Sequence, residues 1–379
     1  MKINLHIAIP ALDELDFLPQ TLAAITQQKT DFNFSVSVCV NQPDAWWNET
    51  ENLEICKNNQ KLLKLLKSFN EFNINIIDKT SAGNGWQHND YGVGWARKTL
   101  FDDIMQTAND EDIIISLDAD TLFNETYLQS IGENFIRNKI EALALPYYHK
   151  LTKDANANRA ILRYEIYMRN YFINMQRIGS PYAFTALGSA IAAKVNVLRK
   201  IRGITPLKSG EDFYLLQKIR KMTPISNYNT EIVYPSARFS SRVLFGTGPA
   251  MIKGNNDNWS SYPIYHCSLF DKIKETYDII PQLFTEDKET EFINFLKAQY
   301  KTEDLWNPLR KNFKTLPQFT RAFHEKADGL RILQFLKYQL QITENKLQVK
   351  DDELQITREQ LFEIEMKLRK LPISNLNNK

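Results

Sequence analysis

Apolar positions over the first 150 residues follow two alternating rhythms. Short runs, INLHIAI (3–9), FSVSVCV (34–40), FNINII (72–77), DIIISL (112–117) and EALALPY (141–147), predict strands. Between them, stretches at about 15–28, 50–70, 94–108 and 125–138 carry apolar residues three or four apart, as in Leu18, Leu22 and Ile25, which predicts helices with one buried face. Strand then helix, repeated, predicts an α/β fold with a mostly parallel central sheet flanked by helices. In IIISLDADTLF (113–123), Ile113, Ile114, Ile115 and Leu117 read as a strand buried on both faces, yet it runs into Asp118 and Asp120.

Beyond residue 150 the rhythm changes. RAILRYEIYMRNYFINMQRIG (159–179) predicts a helix with Ile161, Tyr164, Met168, Phe172 and Met175 along one face. A mixed stretch rich in Gly, Pro and aromatics follows to about 270, and helical segments lead to the C-terminus. Leucines at 333, 340, 347, 354, 361 and 368 keep a period of seven. This predicts one long, coiled-coil-like helix over 330–371, suited to self-association. The seam is imperfect, because Thr343, Lys350 and Thr357 occupy the second apolar position of the central turns.

Composition adds boundaries. Forty-seven Lys and Arg against 45 Asp and Glu leave a formal charge of +2 on 379 residues, which argues against a nucleic-acid footprint. The opening MKINLHIAIPALDE has no signal-type apolar core, and no window has the length and apolarity of a spanning helix. A cytoplasmic protein is expected. The basic, amphipathic stretch 321–340 leaves peripheral contact with the inner face of a membrane open. Cys39, Cys56 and Cys267 are too few and too scattered for a disulfide framework or a thiolate zinc site.

Alternation along an extended chain puts Asp118 and Asp120 on one face with Ala119 opposite. Two carboxylates about 4 Å apart repel by roughly 4 kcal/mol at an effective dielectric near 20, so the pair needs a cation or a shared proton. Oxygen ligands at the end of a buried strand select Mg²⁺ or Mn²⁺, bound through carboxylates and substrate phosphates.

Three further stretches, in order along the chain, carry a resemblance. AIPALDELDFLPQTLAAI (8–25), GVGWARKTLFDDI (92–104) and TALGSAIAAKVNVLRKIRGITPLKSGEDFYLLQKI (185–219), taken with the Asp-x-Asp strand, resemble the family 2 glycosyltransferases of GT-A fold, non-processive and of bacterial type. The resemblance covers residues 3–220 and leaves the tail outside. It implies a GT-A domain over 1–270, with 1–125 the nucleotide-sugar half and 126–270 the acceptor half, then a helical extension (271–329), the heptad helix (330–371) and a disordered tail (372–379). The implied activity is metal-dependent inverting transfer of a sugar from a nucleotide-diphospho-sugar to a hydroxyl of a cell-surface or lipid-linked glycan or other glycoconjugate.

The resemblance also assigns roles. Asp118 and Asp120 would hold Mn²⁺ or Mg²⁺ against the donor diphosphate, with Asp120 the expected direct ligand and Ala119 between them. Asp212 would be the general base, and Glu211 would orient the acceptor or neighbouring groups. Pro10, Ala11, Asp13, Glu14 and Arg97 fall in the donor-binding motifs, and Asp78 is a candidate partner for the base. After the second strand the chain reads VCVNQPDAWW, where the family commonly has an acidic turn. Asn41 would stand in for that acid, or serve only to build the turn. The donor would be UDP- or GDP-linked rather than dTDP-linked.

In YPSARFSSRVLFGTGPAM (234–251), Arg238 and Arg242 could clamp the diphosphate, and His266 is a candidate third metal ligand. Among the tryptophans 46, 47, 86, 95 and 259, which could stack on sugar rings, Trp86 lies in a glycine-bearing loop suited to the donor. The Gln-x-x-Arg-Trp element of processive synthases is absent. Two other readings stay open: a degenerate transferase domain acting as a scaffold through its tail, and a sugar-phosphate nucleotidyltransferase. The acidic IPALDELDF after the first strand disfavours the second.

Overall fold

A computed structural model describes residues 3–87, 91–240 and 246–370. The chain forms two compact units. The first takes in Met1–Ile161 and Phe184–Asn258 together with Arg369, and the second takes in Leu162–Ala183 and Trp259–Leu368.

The first unit is built on a six-stranded sheet of β1 (Asn4–Ala11), β2 (Asn33–Asn41), β3 (Ile74–Lys79), β4 (Ile113–Ser116), β6 (Ala142–Ala144) and β7 (Ile191–Lys194). Their order across the sheet is β3-β2-β1-β4-β7-β6. A separate pair joins β5 (Leu122–Phe123) to β8 (Val233–Tyr234). β1 to β4 are mutually parallel, in registers such as Ile7↔Val36, Val38↔Ile76 and Ile7↔Ile115, while β7 runs antiparallel to β4 and to β6. Helices α1 (Leu18–Thr26), α2 (Leu53–Ser68), α3 (Val93–Thr107) and α4 (Tyr127–Arg137) connect the strands, and α3 packs against β1 and β2. This is the α/β class, mostly parallel and helix-flanked, that the alternating rhythms predict. Ile113, Ile114, Ile115 and Leu117 are all but fully buried. Each such side chain contributes about 1.5–3 kcal/mol by leaving water.

Asp112 anchors the start of β4. It is buried, and its carboxylate accepts the backbone N–H of Asn4 at 2.9 Å and that of Asn109 at 2.8 Å, with His6 Nε2 at 3.4 Å. Burial works against ionisation, but these hydrogen bonds outweigh it and hold the carboxyl below the usual aspartate range.

Helix α5 (Ala155–Arg177) begins in the first unit and continues in the second. The first unit also holds α6 (Val195–Lys200), α7 (Glu211–Met222) and α8 (Thr247–Asn255). The second unit adds α9 (Cys267–Asp278), α10 (Ile280–Leu283), α11 (Glu291–Tyr300), α12 (Asn307–Asn312), α13 (Leu316–Lys326), α14 (Gly329–Thr343) and α15 (Leu354–Arg369) up to Leu368. It also contains a short antiparallel pair, β9 (Ile264–Tyr265) with β10 (Lys346–Leu347).

The single helix expected over 330–371 is therefore interrupted. α14 ends where Glu344 turns left-handed at φ 53°, and α15 starts only after β10 and a 3₁₀ turn at Asp351–Glu353. The break falls where Thr343 and Lys350 deprive the seam of its second apolar position. The apolar side of 321–340 is buried as well, through Phe323, Ile332, Phe335 and Leu336. The expected tail 372–379 lies outside the described residues. No described helix is long and apolar enough to cross a membrane.

α15 is fastened to α5 by charge. Arg169 pairs with Glu165 at 3.2 Å and with Glu365, and Arg358 pairs with Glu165 at 3.3 Å; all four side chains are essentially inaccessible to water. Beside them Leu162, Ile166, Ile264 and Leu354 form an apolar cluster.

Candidate functional site

Because β1 to β4 run the same way, their carboxyl ends share one edge of the sheet, where α/β proteins collect ligands. Pro10 and Ala11 end β1 and are buried in register with Cys39 and Val40. Asp13 then turns left-handed at φ 56°; its N–H donates to Asn59 Oδ1 at 2.9 Å, and its Oδ1 accepts from Asn58 at 3.2 Å. Glu14, buried, follows.

At the end of β2 the Asn41 amide is engaged on both sides. It donates to the Ala11 carbonyl at 2.9 Å and accepts from Trp86 Nε1 at 3.1 Å. Asp78, ending β3, accepts the N–H groups of Thr80 and Ser81 at 3.0 and 2.9 Å and the Ser81 hydroxyl at 2.6 Å. Burial opposes ionisation there, but the hydrogen bonds win and lower its pKa. Both residues thus shape the loop that carries Trp86. A Cβ on Gly85 would come within 2.7 Å of the Asp44 backbone, so only glycine lets this loop close against the turn that follows β2.

Past β4 two arginines take hold of the Asp-x-Asp pair. Arg97, on α3 and 2% exposed, bonds Asp118 through Nη2 and Glu211 through Nη1. Gly188 makes room for this guanidinium, and Gly94 for the backbone of Leu207. A Cβ on Gly188 would lie 2.6 Å from Arg97 Nη1, and one on Gly94 would lie 2.6 Å from the Leu207 nitrogen. Gly210, left-handed at φ 77°, starts α7 so that Glu211 and Asp212 occupy its first turn, where the helix dipole favours anions. Asp212 Oδ1 accepts the Phe213 N–H at 2.7 Å, and its Oδ2 makes no hydrogen bond among the described residues.

One guanidinium thus answers three carboxylates. Burial pushes Glu211 up to about 7, against the pull of Arg97 and with a further push from Asp212. Asp212 is raised as well, chiefly by burial. The second aspartate is held differently: Arg238 Nε donates to Asp120 Oδ2 at 2.7 Å, and its Nη2 donates to Glu14 at 2.6 and 2.8 Å. The same guanidinium lies 4.0 Å from the Phe17 ring centroid. Ala119, between the aspartates, is buried, and its carbonyl accepts the Thr21 hydroxyl at 2.8 Å.

Among the described residues no three His, Cys, Asp or Glu side chains gather to cage a cation. Asp118 is nonetheless 38% exposed, and its Oδ2 makes no hydrogen bond to any described residue. Mg²⁺ and Mn²⁺ take one or two carboxylates and complete their shells from water and substrate phosphate, so this open carboxylate fits such an ion. Arg242 lies outside the described residues. His266 lies in the second unit, where its Nδ1 accepts the Ser268 N–H at 3.3 Å and caps α9.

The structure therefore brings Arg97, Asp118, Glu211 and Asp212 into one cluster and Glu14, Asp120 and Arg238 into another. The bridging role of Arg238 and the clearance at Gly188 escape a reading by motif, although GSA (188–190) marks a turn there.

No family model and no curated protein matches this sequence. Among solved structures the chain is similar to S. aureus TarS 1-349 in complex with UDP-GlcNAc, at 14% identity over 97% of this chain and 90% of that one, with a TM-score of 0.45. It is also similar to the mannosyltransferase PcManGT from Pyrobaculum calidifontis in complex with GDP-Man and Mn²⁺, at 12% identity over 97% and 84% of the two chains, with a TM-score of 0.40.

Proposed function

We propose that this chain is an inverting, metal-dependent glycosyltransferase of family 2 and GT-A fold, which moves a sugar from a nucleotide-diphospho-sugar to a hydroxyl acceptor. One observation carries the reading: Arg97 ties Asp118 to Glu211, with Asp212 beside them, so three stretches that separately resemble the family meet on one guanidinium. A merely acidic helix start would require no such partner.

The donor diphosphate would lie at the sheet edge by Asp118 and Asp120, which would hold Mn²⁺ or Mg²⁺. When bound, the ion would offset the negative charge that develops on the departing nucleoside diphosphate. Asp212 Oδ2, raised in pKa and without a hydrogen bond, suits a general base. It would take the acceptor hydroxyl proton as that oxygen bonds to the anomeric carbon and the bond to the diphosphate breaks, a single displacement with inversion. Glu211 and Arg97 would keep Asp212 and Asp118 in place. The donor would be UDP- or GDP-linked, and the acceptor a cell-surface or lipid-linked glycan.

Calorimetric titration of UDP, GDP and dTDP, with and without Mn²⁺, tests this. Binding of one nucleotide that requires Mn²⁺ and weakens in Asp120→Ala is expected. A folded chain that binds none of them under either condition would end the transferase reading.

A further inference from the structure

Within the second unit the buried arginines Arg169 and Arg358 are answered by carboxylates. Arg163, on the same helix α5, is not. Its guanidinium makes no hydrogen bond and no ion pair with any described residue, and its Nη1 is sealed from solvent. Its guanidinium carbon lies 5.3 Å from the centroid of the Trp259 ring. Tyr167 stands one turn along α5, and Tyr262 three residues past Trp259; their rings pack edge to face at 5.6 Å, with Tyr164 against Tyr262 at 5.2 Å. Burial pushes the Arg163 guanidinium down to about 10, and no carboxylate among the described residues pulls it back.

A guanidinium offers five N–H donors in a planar fork; that of Arg163 is half-buried, and sealing its Nη1 from water with no partner costs stability. A guanidinium placed in this way beside an indole has the means to bind a planar or tetrahedral oxyanion, for which arginine is better matched than lysine. Trp259 is half-buried as well, so the pair reaches solvent. We propose that Arg163 and Trp259 form a binding subsite for an oxyanion, phosphate or carboxylate, carried on a sugar or polyol. The guanidinium pairs with the oxyanion through parallel N–H donors, and the indole lies against the C–H face of the ligand. The subsite belongs to the second unit alone and does not rest on the transferase reading.

The test is titration of the intact chain with glucose 6-phosphate, glucuronate and glucose, followed by calorimetry and saturation-transfer NMR. At least one of the two anions should bind at least tenfold more tightly than glucose, and the tighter one identifies the oxyanion. Arg163→Gln should weaken that binding at least tenfold, while Asp120→Ala in the first unit should leave it unchanged. Arg163→Met should abolish it and raise the melting temperature, because a half-buried cation with a sealed, unpartnered Nη1 is replaced by an apolar side chain of similar length. The proposal is overturned if neither anion exceeds glucose, if Arg163→Gln binds as the parent does, if Asp120→Ala weakens binding equally, or if Arg163→Met lowers the melting temperature.

Discussion

Arg238 stands 2.7 Å from Asp120 through Nε, and the same guanidinium reaches back to Glu14 at 2.6 Å through Nη2. The second aspartate of the Asp-x-Asp pair thus already carries a cation supplied by the protein, and a divalent ion seeking that carboxylate must compete with it. Arg238→Ala is expected to raise the affinity of the nucleotide-free protein for Mn²⁺ roughly fivefold, the equivalent of about 1 kcal/mol for one part-exposed ion pair. Electron paramagnetic resonance titration of free Mn²⁺ measures this; unchanged or weaker binding would show that the pair does not oppose the metal.

Much of this was legible in the sequence, and what was not has a physical reason. The strand that leads to Asp118 announced itself by a continuous apolar run, and Arg97, Asp118, Glu211 and Asp212 stood in stretches whose order carried the resemblance. The pairing of Arg238 with Glu14 joins positions 224 residues apart, and no local period encodes such a contact. Asn41 could be read either as a ligand contact or as a turn builder. Its bonds to Ala11 and Trp86 depend on a loop whose path the sequence did not reveal. The tail misled because leucines at a spacing of seven suit a long helix, while the polar residues at the companion positions decided where it breaks.

Arg97 is buried between Asp118 and Glu211, the latter with 3% of its side chain exposed. Arg97→Met strands the Glu211 carboxylate in the interior, at a cost of about 3–5 kcal/mol. Urea unfolding should show this as a lower midpoint with an unchanged slope. Gly188→Ala should act in the same direction and cost about 1–3 kcal/mol, since its new methyl group must displace the guanidinium.

Asp212→Asn separates chemistry from binding. The amide keeps the size of the carboxylate but cannot take a proton, so kcat should fall by about 10²- to 10⁴-fold while the dissociation constant of the nucleotide stays unchanged. A comparable loss in both quantities would assign Asp212 to donor binding instead.

Acid stability should depend on Asp112. Its carboxyl titrates below the ordinary aspartate value in the folded chain, so it adds stability above the unfolded value of about 3.9 and loses that contribution as pH falls through the lower folded value. Asp112→Asn should be less stable at neutral pH by about 1–3 kcal/mol, because its amide nitrogen would face the backbone donors of Asn4 or Asn109. The difference from the parent should narrow below about pH 4 in thermal melts.

A leucine repeat of period seven is ambiguous to sliding, since α15 displaced by one heptad would offer its neighbours the same leucines. The ion pairs that join α15 to α5 remove that freedom. Arg358 faces Glu165 and Glu365 faces Arg169, and these two tail residues are themselves one heptad apart. Sliding α15 by seven residues in one direction brings Asp351 against Glu165 and Arg358 against Arg169; sliding it the other way sets Glu365 against Glu165. Every one of those meetings joins like charges away from water. Leucine supplies the adhesion of this helix, and the alternation of charge sets its address.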